Sequence, residues 1–227
     1  MRSQAIILAA MALLTTPSLA ASDSQAERVY VVTYVELLPS QSDAGAGLLI
    51  AYRNAGRGEH GNLRLEVLSE LGRPARFALL ETWDNKASLD AHESGPGAHE
   101  FRAKFEKIAA APPDERILSG LRVSADEGRS GTLYVLTHVD VAPQYADSAT
   151  ALLQTLFDAT SKEDGNAAHE VLRQANRPNH FTTVEQWKDE PARARHSAAA
   201  PTREFRQKLS PMMGALYDER IYRLAGK

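Results

Sequence analysis

Two segments of the chain carry the same side chains capable of proton-transfer chemistry. Each has a glutamate, a tryptophan two residues later and a histidine nine residues after that: Glu81, Trp83 and His92, then Glu185, Trp187 and His196. Imidazole suits proton transfer near neutral pH because its unperturbed pKa is about 6.5. A buried carboxylate can serve as a base, and indole rings can line an apolar pocket. These residue types are able to carry out acid–base chemistry.

Each of these residues also has a purely structural interpretation. A tryptophan on one face of a strand is commonly a core residue, and a helical histidine can be held by a structural hydrogen bond. For Glu81 the simpler expectation is a salt bridge to Arg102. The same expectation holds for Glu185 with Arg206.

The segments recur because the chain contains one unit twice. At an offset of 104 residues the sequence aligns with itself without a gap, and roughly a third of the paired positions are identical. The shared residues include Glu59, Gly61 and Asn62 with Glu163, Gly165 and Asn166, and Glu100-Phe101-Arg102 with Glu204-Phe205-Arg206. A period this long indicates a domain duplication rather than a solenoid.

Each unit has the order βαββαβ, which is the ferredoxin-like arrangement and gives an α+β fold class. Apolar, β-branched and aromatic runs predict the strands, and apolar residues at helical spacing predict the helices. Ser42 or Asp43 is expected to cap the first helix. The predicted boundaries are 28–122 for the first repeat, 123–130 for a linker and 131–227 for the second repeat. In the first repeat the expected strands are Tyr30–Leu37, Leu63–Ser69, Phe77–Trp83 and Arg116–Leu121.

Residues 1–20 are typical of an export signal. Arg2 precedes the apolar run Ala5–Leu14, and small residues at Ser18 and Ala20 predict cleavage before Ala21. The apolar run is too short to span a bilayer, which takes about 20 residues. We therefore expect a periplasmic or secreted protein with no membrane attachment after cleavage.

Composition narrows the function further. There are no cysteines, which excludes disulfides, thiolate metal sites and cysteine nucleophiles. A net charge of −3 without a basic stripe argues against nucleic-acid binding. His169 and His180 are further potential metal ligands, but no H-x-H or H-x3-H spacing occurs, so no metal site is expected.

The E-x-W-x8-H segment, following an E-x-G-N turn, resembles the antibiotic biosynthesis monooxygenase family of dimeric α/β-barrel proteins in both copies. The resemblance implies a barrel made from two ferredoxin-like units. Here one chain supplies both units, which implies an intramolecular pseudo-dimer and a monomeric protein.

The resemblance also implies a monooxygenase that needs no cofactor and acts on a small aromatic or quinol-type molecule. An electron-rich phenolate can reduce oxygen unaided, so such an enzyme needs a dry pocket and a base. The alternatives are a non-catalytic exported barrel that binds a hydrophobic ligand and, less expected, a haem-binding protein. Haem-degrading members carry an asparagine at about the position of Tyr34 and His138, which disfavours haem degradation.

Tyr34 and His138 occupy matching positions in the two copies, so the pockets are expected to differ. Tyr34, with Glu81, Trp83 and His92, is predicted to bind substrate. His138 is predicted to act with His196 in the second pocket. The catalytic set expected there is His138, Glu185, Trp187 and His196.

Overall fold

The computed structural model describes residues 28–124 and 131–226. The predicted export signal, residues 1–20, and residues 125–130 of the predicted linker lie outside this range. Within these two stretches no helix is long and apolar enough to cross a membrane.

The two copies fold alike, element for element. The first contains β1 (Val29–Glu36), α1 (Ser42–Gly56), β2 (Asn62–Glu70), β3 (Arg76–Trp83), α2 (Lys86–Glu93), α3 (Pro96–Phe105) and β4 (Asp114–Val123). The second contains β5 (Leu133–Asp140), α4 (Ala146–Thr160), β6 (Asn166–Gln174), β7 (His180–Trp187), α5 (Glu190–Ala198), α6 (Ala200–Leu209) and β8 (Asp218–Leu224). The βαββαβ order predicted from the sequence is confirmed, with the second helix of each copy divided in two.

The eight strands close into one barrel in the order β1-β3-β2-β8-β5-β7-β6-β4. All neighbouring strands are antiparallel, and the copies join where β2 pairs with β8 and β4 pairs with β6. Each copy therefore covers the strand edges that the other would leave open. This confirms the predicted pseudo-dimeric barrel within a single chain.

Both faces of the sheet are buried, which explains why the strands read as continuous apolar runs. The inner face forms a barrel core that includes Tyr30, Leu80, Tyr134 and Tyr222. The outer face carries the helices of each copy, with Leu49 of α1 and Leu153 of α4 fully buried against it. Each copy thus encloses a second core between its half of the sheet and its helices, and the Glu-Trp-His residues lie in that layer.

A buried ion pair ties the two copies together inside the barrel. Both terminal nitrogens of Arg64 on β2 donate to the carboxylate of Glu170 on β6, at 2.9 Å each. The side chains are 11% and 1% exposed. This pair therefore adds a side-chain link between the copies to the β2–β8 and β4–β6 strand pairing.

The predicted cap of the first helix is wrong. Ser42 is the first residue of α1, and its hydroxyl donates to the Pro39 carbonyl instead of accepting a helix N–H group. Side-chain caps occur on the helices that carry the histidines. Asn85 accepts from the Ser88 N–H at the start of α2, and Asp189 accepts from the Ala192 N–H at the start of α5.

Candidate active site

The fold brings glutamate, tryptophan and histidine together in each copy, on the outer face of the sheet. Glu81 and Trp83 share that face because side chains on a strand alternate with period two, and α2 places His92 above them. In the second copy β7 supplies Glu185 and Trp187, and α5 supplies His196. All six side chains are buried.

The contacts in the first copy form a chain of polar groups. The Trp83 indole N–H donates to Glu81 Oε2 at 3.0 Å. His92 Nε2 lies 3.8 Å from the same Glu81 oxygen. On the other side of the ring, His92 Nδ1 lies 2.8 Å from Glu59 Oε2. The imidazole thus stands between two carboxylates.

The second copy repeats this geometry with small differences. The Trp187 indole N–H donates to Glu185 Oε2 at 2.8 Å. His196 Nε2 lies 3.6 Å from that oxygen, and Nδ1 lies 3.1 Å from both Glu163 oxygens. Glu59 and Glu163 were identified only as turn residues; their matching distance of 33 residues before each histidine is the signal that would have placed them in the site.

A glycine in the E-x-G-N turn allows this approach. Gly61 and Gly165 have φ of +78° and +89°, which other residues rarely adopt. A Cβ at Gly165 would lie 2.5 Å from the Cβ of Ala192 in α5. The turn therefore packs directly under the histidine helix and holds the glutamate beside the ring.

Burial raises the pKa of both strand glutamates. Desolvation raises the pKa of Glu81 to about 7, although His92 and the Trp83 hydrogen bond act in the opposite direction. Desolvation also raises the pKa of Glu185, against the same two kinds of contact from His196 and Trp187. A carboxylate with a pKa moved toward neutrality can take a proton from a weakly acidic substrate.

The salt bridges expected for these glutamates do not form. Arg102 donates to the backbone carbonyl of Glu93 at 2.6 Å, and Arg206 pairs with Glu219 at 2.7 Å. Glu81 and Glu185 instead face imidazole and indole groups. Arg102 is exposed on α3, whereas Arg206 on α6 is half-buried and its partner Glu219 lies on β8.

The copies differ most at one residue of the long helix. In the first copy Tyr52 of α1 reaches the histidine, with its hydroxyl 2.6 Å from His92 Nε2. The Tyr52 ring stacks on Phe101 with centroids 4.1 Å apart. In the second copy Leu156 stands at the matching position and has no hydroxyl to offer His196.

A small cavity occupies the corresponding place in the second copy. Its free volume is about 10 Å³, room for about one water molecule. Its lining is more polar than the matching positions of the first copy, because Arg193, Thr202 and Thr183 replace Leu89, Ala98 and Leu79. The further lining residues are Val135, Thr137, Val139, Leu156, Glu185, His196, Ser197, Phe205, Arg206, Tyr217 and Glu219.

A surface groove approaches this cavity from outside. The groove has a volume of about 270 Å³ and runs between α4 and α6. Leu156 and Phe205 line both the groove and the cavity. These two apolar side chains are therefore the partition between solvent and the buried Glu185–His196 pair.

Two of the predicted site residues lie elsewhere. Tyr34 and His138 point toward the barrel interior, while the adjacent Thr137 lines the cavity on the outer face. The expectation that His138 and His196 share a pocket is wrong. Thr137 lies on the outer face with His196, and its neighbour His138 faces the opposite side of the sheet because side chains alternate along a strand. Tyr34 is likewise separated from Trp83, Glu81 and His92.

His169 belongs to the second site instead. It is fully buried on β6 and packs against Phe157, with Nε2 3.9 Å from Glu185 Oε1. Neither ring nitrogen has a hydrogen-bond partner within the described residues. Burial lowers the pKa of His169 to about 3. The first copy has Leu65 at this position, and that contrast is the signal that singles His169 out.

These residues do not fit a haem. The Nδ1 atom of each histidine is held by a glutamate, and Nε2 faces Tyr52 in the first copy and Glu185 in the second. A free volume of about 10 Å³ leaves no room for a macrocycle.

The architecture defines the class of protein: two ferredoxin-like units that close one eight-stranded barrel, with a buried acid–base cluster under the helices of each unit. The profile of the antibiotic biosynthesis monooxygenase family matches residues 28–104 and again residues 132–208. The chain belongs to this family, as the sequence resemblance implied.

Solved structures with the same fold span nearly the whole chain. A protein of Fusobacterium nucleatum described as a "putative monooxygenase" superposes with a TM-score of 0.76 at 16% identity, covering 88% of this chain and 93% of that one. An "anthrone oxidase-like protein" gives 0.70 at 15% identity, covering 90% and 96%. Among curated proteins, the Bacillus subtilis "Putative monooxygenase YcnE" is 27% identical over 81 residues, which is 36% of this chain and 85% of that protein.

Proposed function

We propose that the protein is a monooxygenase that oxidises a phenolic or quinol-type small molecule in the pocket of the second copy. The observation that carries this proposal is Tyr52. In the first copy its phenol ring stacks on Phe101 and its hydroxyl meets His92 Nε2 at 2.6 Å. The duplicated cluster therefore accommodates a phenol within its own fold. The second copy lacks this tyrosine, and because its cavity has room for about one water molecule, a phenol would reach the matching place from the groove by displacing Leu156.

The chemistry follows from the groups around that place. A phenol entering past Leu156 would stack on Phe205 and direct its hydroxyl to His196 Nε2. His196 would take the phenolic proton, stabilised by the carboxylates of Glu163 and Glu185 on either side of the ring. The phenolate so formed can pass an electron to oxygen. For an anthrone-type methylene the overall change is CH2 + O2 → C=O + H2O.

Two arginines support the negative charge that this step creates. Arg193 and Arg206 both line the cavity. Their guanidinium groups pair with Glu190 and Glu219, so they contribute N–H donors beside the cavity rather than an uncompensated positive charge. Leu89 replaces Arg193 in the first copy, where no ligand is proposed.

Two further parts of the proposal concern oligomeric state and location. This chain supplies both halves of the barrel, so the working unit is proposed to be a monomer. Residues 1–20 are proposed to direct export, which would place the reaction in the periplasm or outside the cell.

Oxygen uptake with a panel of hydroquinones and anthrone-type phenols tests this function. We expect turnover by the wild type and a loss of 10²–10⁴-fold in kcat for His196→Ala, the usual contribution of a general base. His92→Ala, the matched change in the first copy, should leave kcat within a few-fold. Tight binding of a phenol without oxygen uptake would favour a binding protein. Equal losses for the two variants would contradict assignment to the second copy.

A further inference from the structure

We propose that His138, Asp140 and His180 form a binding site for a divalent transition metal ion of the zinc type, at the barrel mouth where β1 and β5 end. One donor atom from each of these residues lies within 4.8 Å of the other two. His180 Nε2 is 3.4 Å from Asp140 Oδ1, and the two imidazole rings have centroids 5.6 Å apart. This site is separate from the proposed phenol pocket, which lies on the opposite face of the sheet.

Strand pairing produces this grouping although the sequence has no familiar metal motif. His138 and Asp140 are two residues apart on β5, so they share the inner face. Asp140 is directly paired with His180 across β5 and β7. Three ligands on two adjacent strands are thus fixed by backbone hydrogen bonds before any ion binds.

The donor set suits an ion such as zinc. Two imidazoles and one carboxylate are borderline ligands that bind zinc with bonds of about 2.0–2.2 Å, with ligand atoms roughly 3.3 Å apart in a tetrahedron. Because the donor atoms lie within 4.8 Å of one another, reaching this separation takes closing shifts of up to about 1.5 Å, which side-chain rotation can supply. Three protein ligands leave a fourth position for water at the barrel mouth.

One ring nitrogen of the cluster lacks a partner. His138 Nδ1 is buried and has no hydrogen-bond partner within the described residues. A buried nitrogen lone pair without a partner is costly, and a metal ion would satisfy it.

The first copy carries a permanent positive charge at the matching place, which the second copy lacks. Its matching residues are Tyr34, Glu36 and Arg76, and Arg76 pairs with Glu36 at 3.3 Å. The second copy keeps the carboxylate as Asp140 but replaces the permanent cation with an imidazole. A bound dication would restore the positive charge at the same place in the barrel.

The surrounding charges permit a cation. Arg116 acts on both histidines and Arg177 acts on His180, which disfavours added positive charge. However, Arg116 donates to both oxygens of Asp114, at 3.2 and 2.6 Å, so that its charge is largely compensated. Asp218 compensates Arg220 on the neighbouring strand in the same way.

Titration of the purified chain with Zn²⁺, followed by calorimetry, tests the site. We expect one ion per chain, and with Co²⁺ a visible spectrum of nitrogen and oxygen ligation. His138→Tyr and His180→Arg introduce the first-copy residues, which the fold accepts, and each should weaken binding at least 100-fold. His99→Ala, at an exposed histidine, is the control and should bind like the wild type.

The thermal midpoint provides a second readout. Zn²⁺ at 100 times its Kd should raise the Tm of the wild type by about 5–10 °C and leave His180→Arg unchanged. Absence of saturable binding to the wild type would overturn the proposal. So would binding that survives both substitutions, because the ion would then lie elsewhere. Neither result depends on oxygen uptake.

Discussion

Replacing His169 with leucine should stabilise the protein. His169 is fully buried, and neither ring nitrogen has a hydrogen-bond partner among the described residues. An unsatisfied buried polar group costs about 1–3 kcal/mol. Leucine has a similar volume and is the residue that the first copy places here, as Leu65. We expect a gain of about 1–2 kcal/mol at pH 7, which is a rise in Tm of about 2–8 °C for a protein of this size.

The stability advantage of His169→Leu over the wild type should increase in acid. Because burial lowers the pKa of His169 to about 3, the folded protein excludes a proton that the unfolded chain binds below its pKa of about 6.5. Wild-type stability is therefore lost as pH falls from about 6.5 toward 3. At pH 5 this linkage amounts to about 2 kcal/mol, and His169→Leu removes it.

Urea unfolding at pH 7.5 and pH 5 measures both effects. The free-energy advantage of His169→Leu over the wild type should be about 2 kcal/mol larger at pH 5. Leu65→Ile serves as a control for packing in the matched position and should show no such pH dependence. A leucine variant that is less stable than the wild type at both pH values would refute the interpretation, because the ring nitrogens would then have partners.

Three further predictions concern stability. Arg64→Ala should destabilise the protein by about 3–5 kcal/mol in urea unfolding because it breaks a buried ion pair and removes two hydrogen bonds to the Glu170 carboxylate. Arg64→Met with Glu170→Met should recover most of the loss; a mild effect of Arg64→Ala alone would contradict this prediction. Because Glu81 has a pKa of about 7, the wild type should lose stability as pH rises from about 4.5 to 7, on the order of 3 kcal/mol, and Glu81→Gln should flatten that slope in a Tm series. Gly165→Ala should destabilise the protein by about 1–3 kcal/mol. Gly72→Ala should destabilise it less, because Gly72 also has a positive φ but no atom of the described residues lies within 4 Å of a Cβ built there. Equal destabilisation of the two variants in thermal unfolding would show that the turn does not press on α5.

The fold was predictable because the duplication and the strand patterns agree. The matched runs fixed the order of elements, and the two-residue period correctly placed Phe77, Glu81 and Trp83 on one face of β3. The ends of the strands were predicted to within two residues. The helix start was less accurate because Ser42 and Asp43 both resemble caps, and neither caps the helix.

The site was only partly predictable. The Glu-Trp-His cluster follows from its recurring spacing, but the face on which His138 lies does not. Both faces of β5 are buried, so the strand has no polar–apolar alternation to distinguish inside from outside. Tyr52 fitted the apolar stripe of α1, so its hydroxyl contact with His92 could not be separated from simple packing until the helix was placed.

The central claim is that the second pocket holds the phenol whose place Tyr52 takes in the first. Its most direct test is Leu156→Tyr combined with Thr202→Ala, which gives the second pocket the tyrosine and the small residue, Ala98, of the first. We predict that this variant keeps the Tm within a few degrees and loses phenol-dependent oxygen uptake. The same uptake as the wild type, in a folded variant, would contradict the claim.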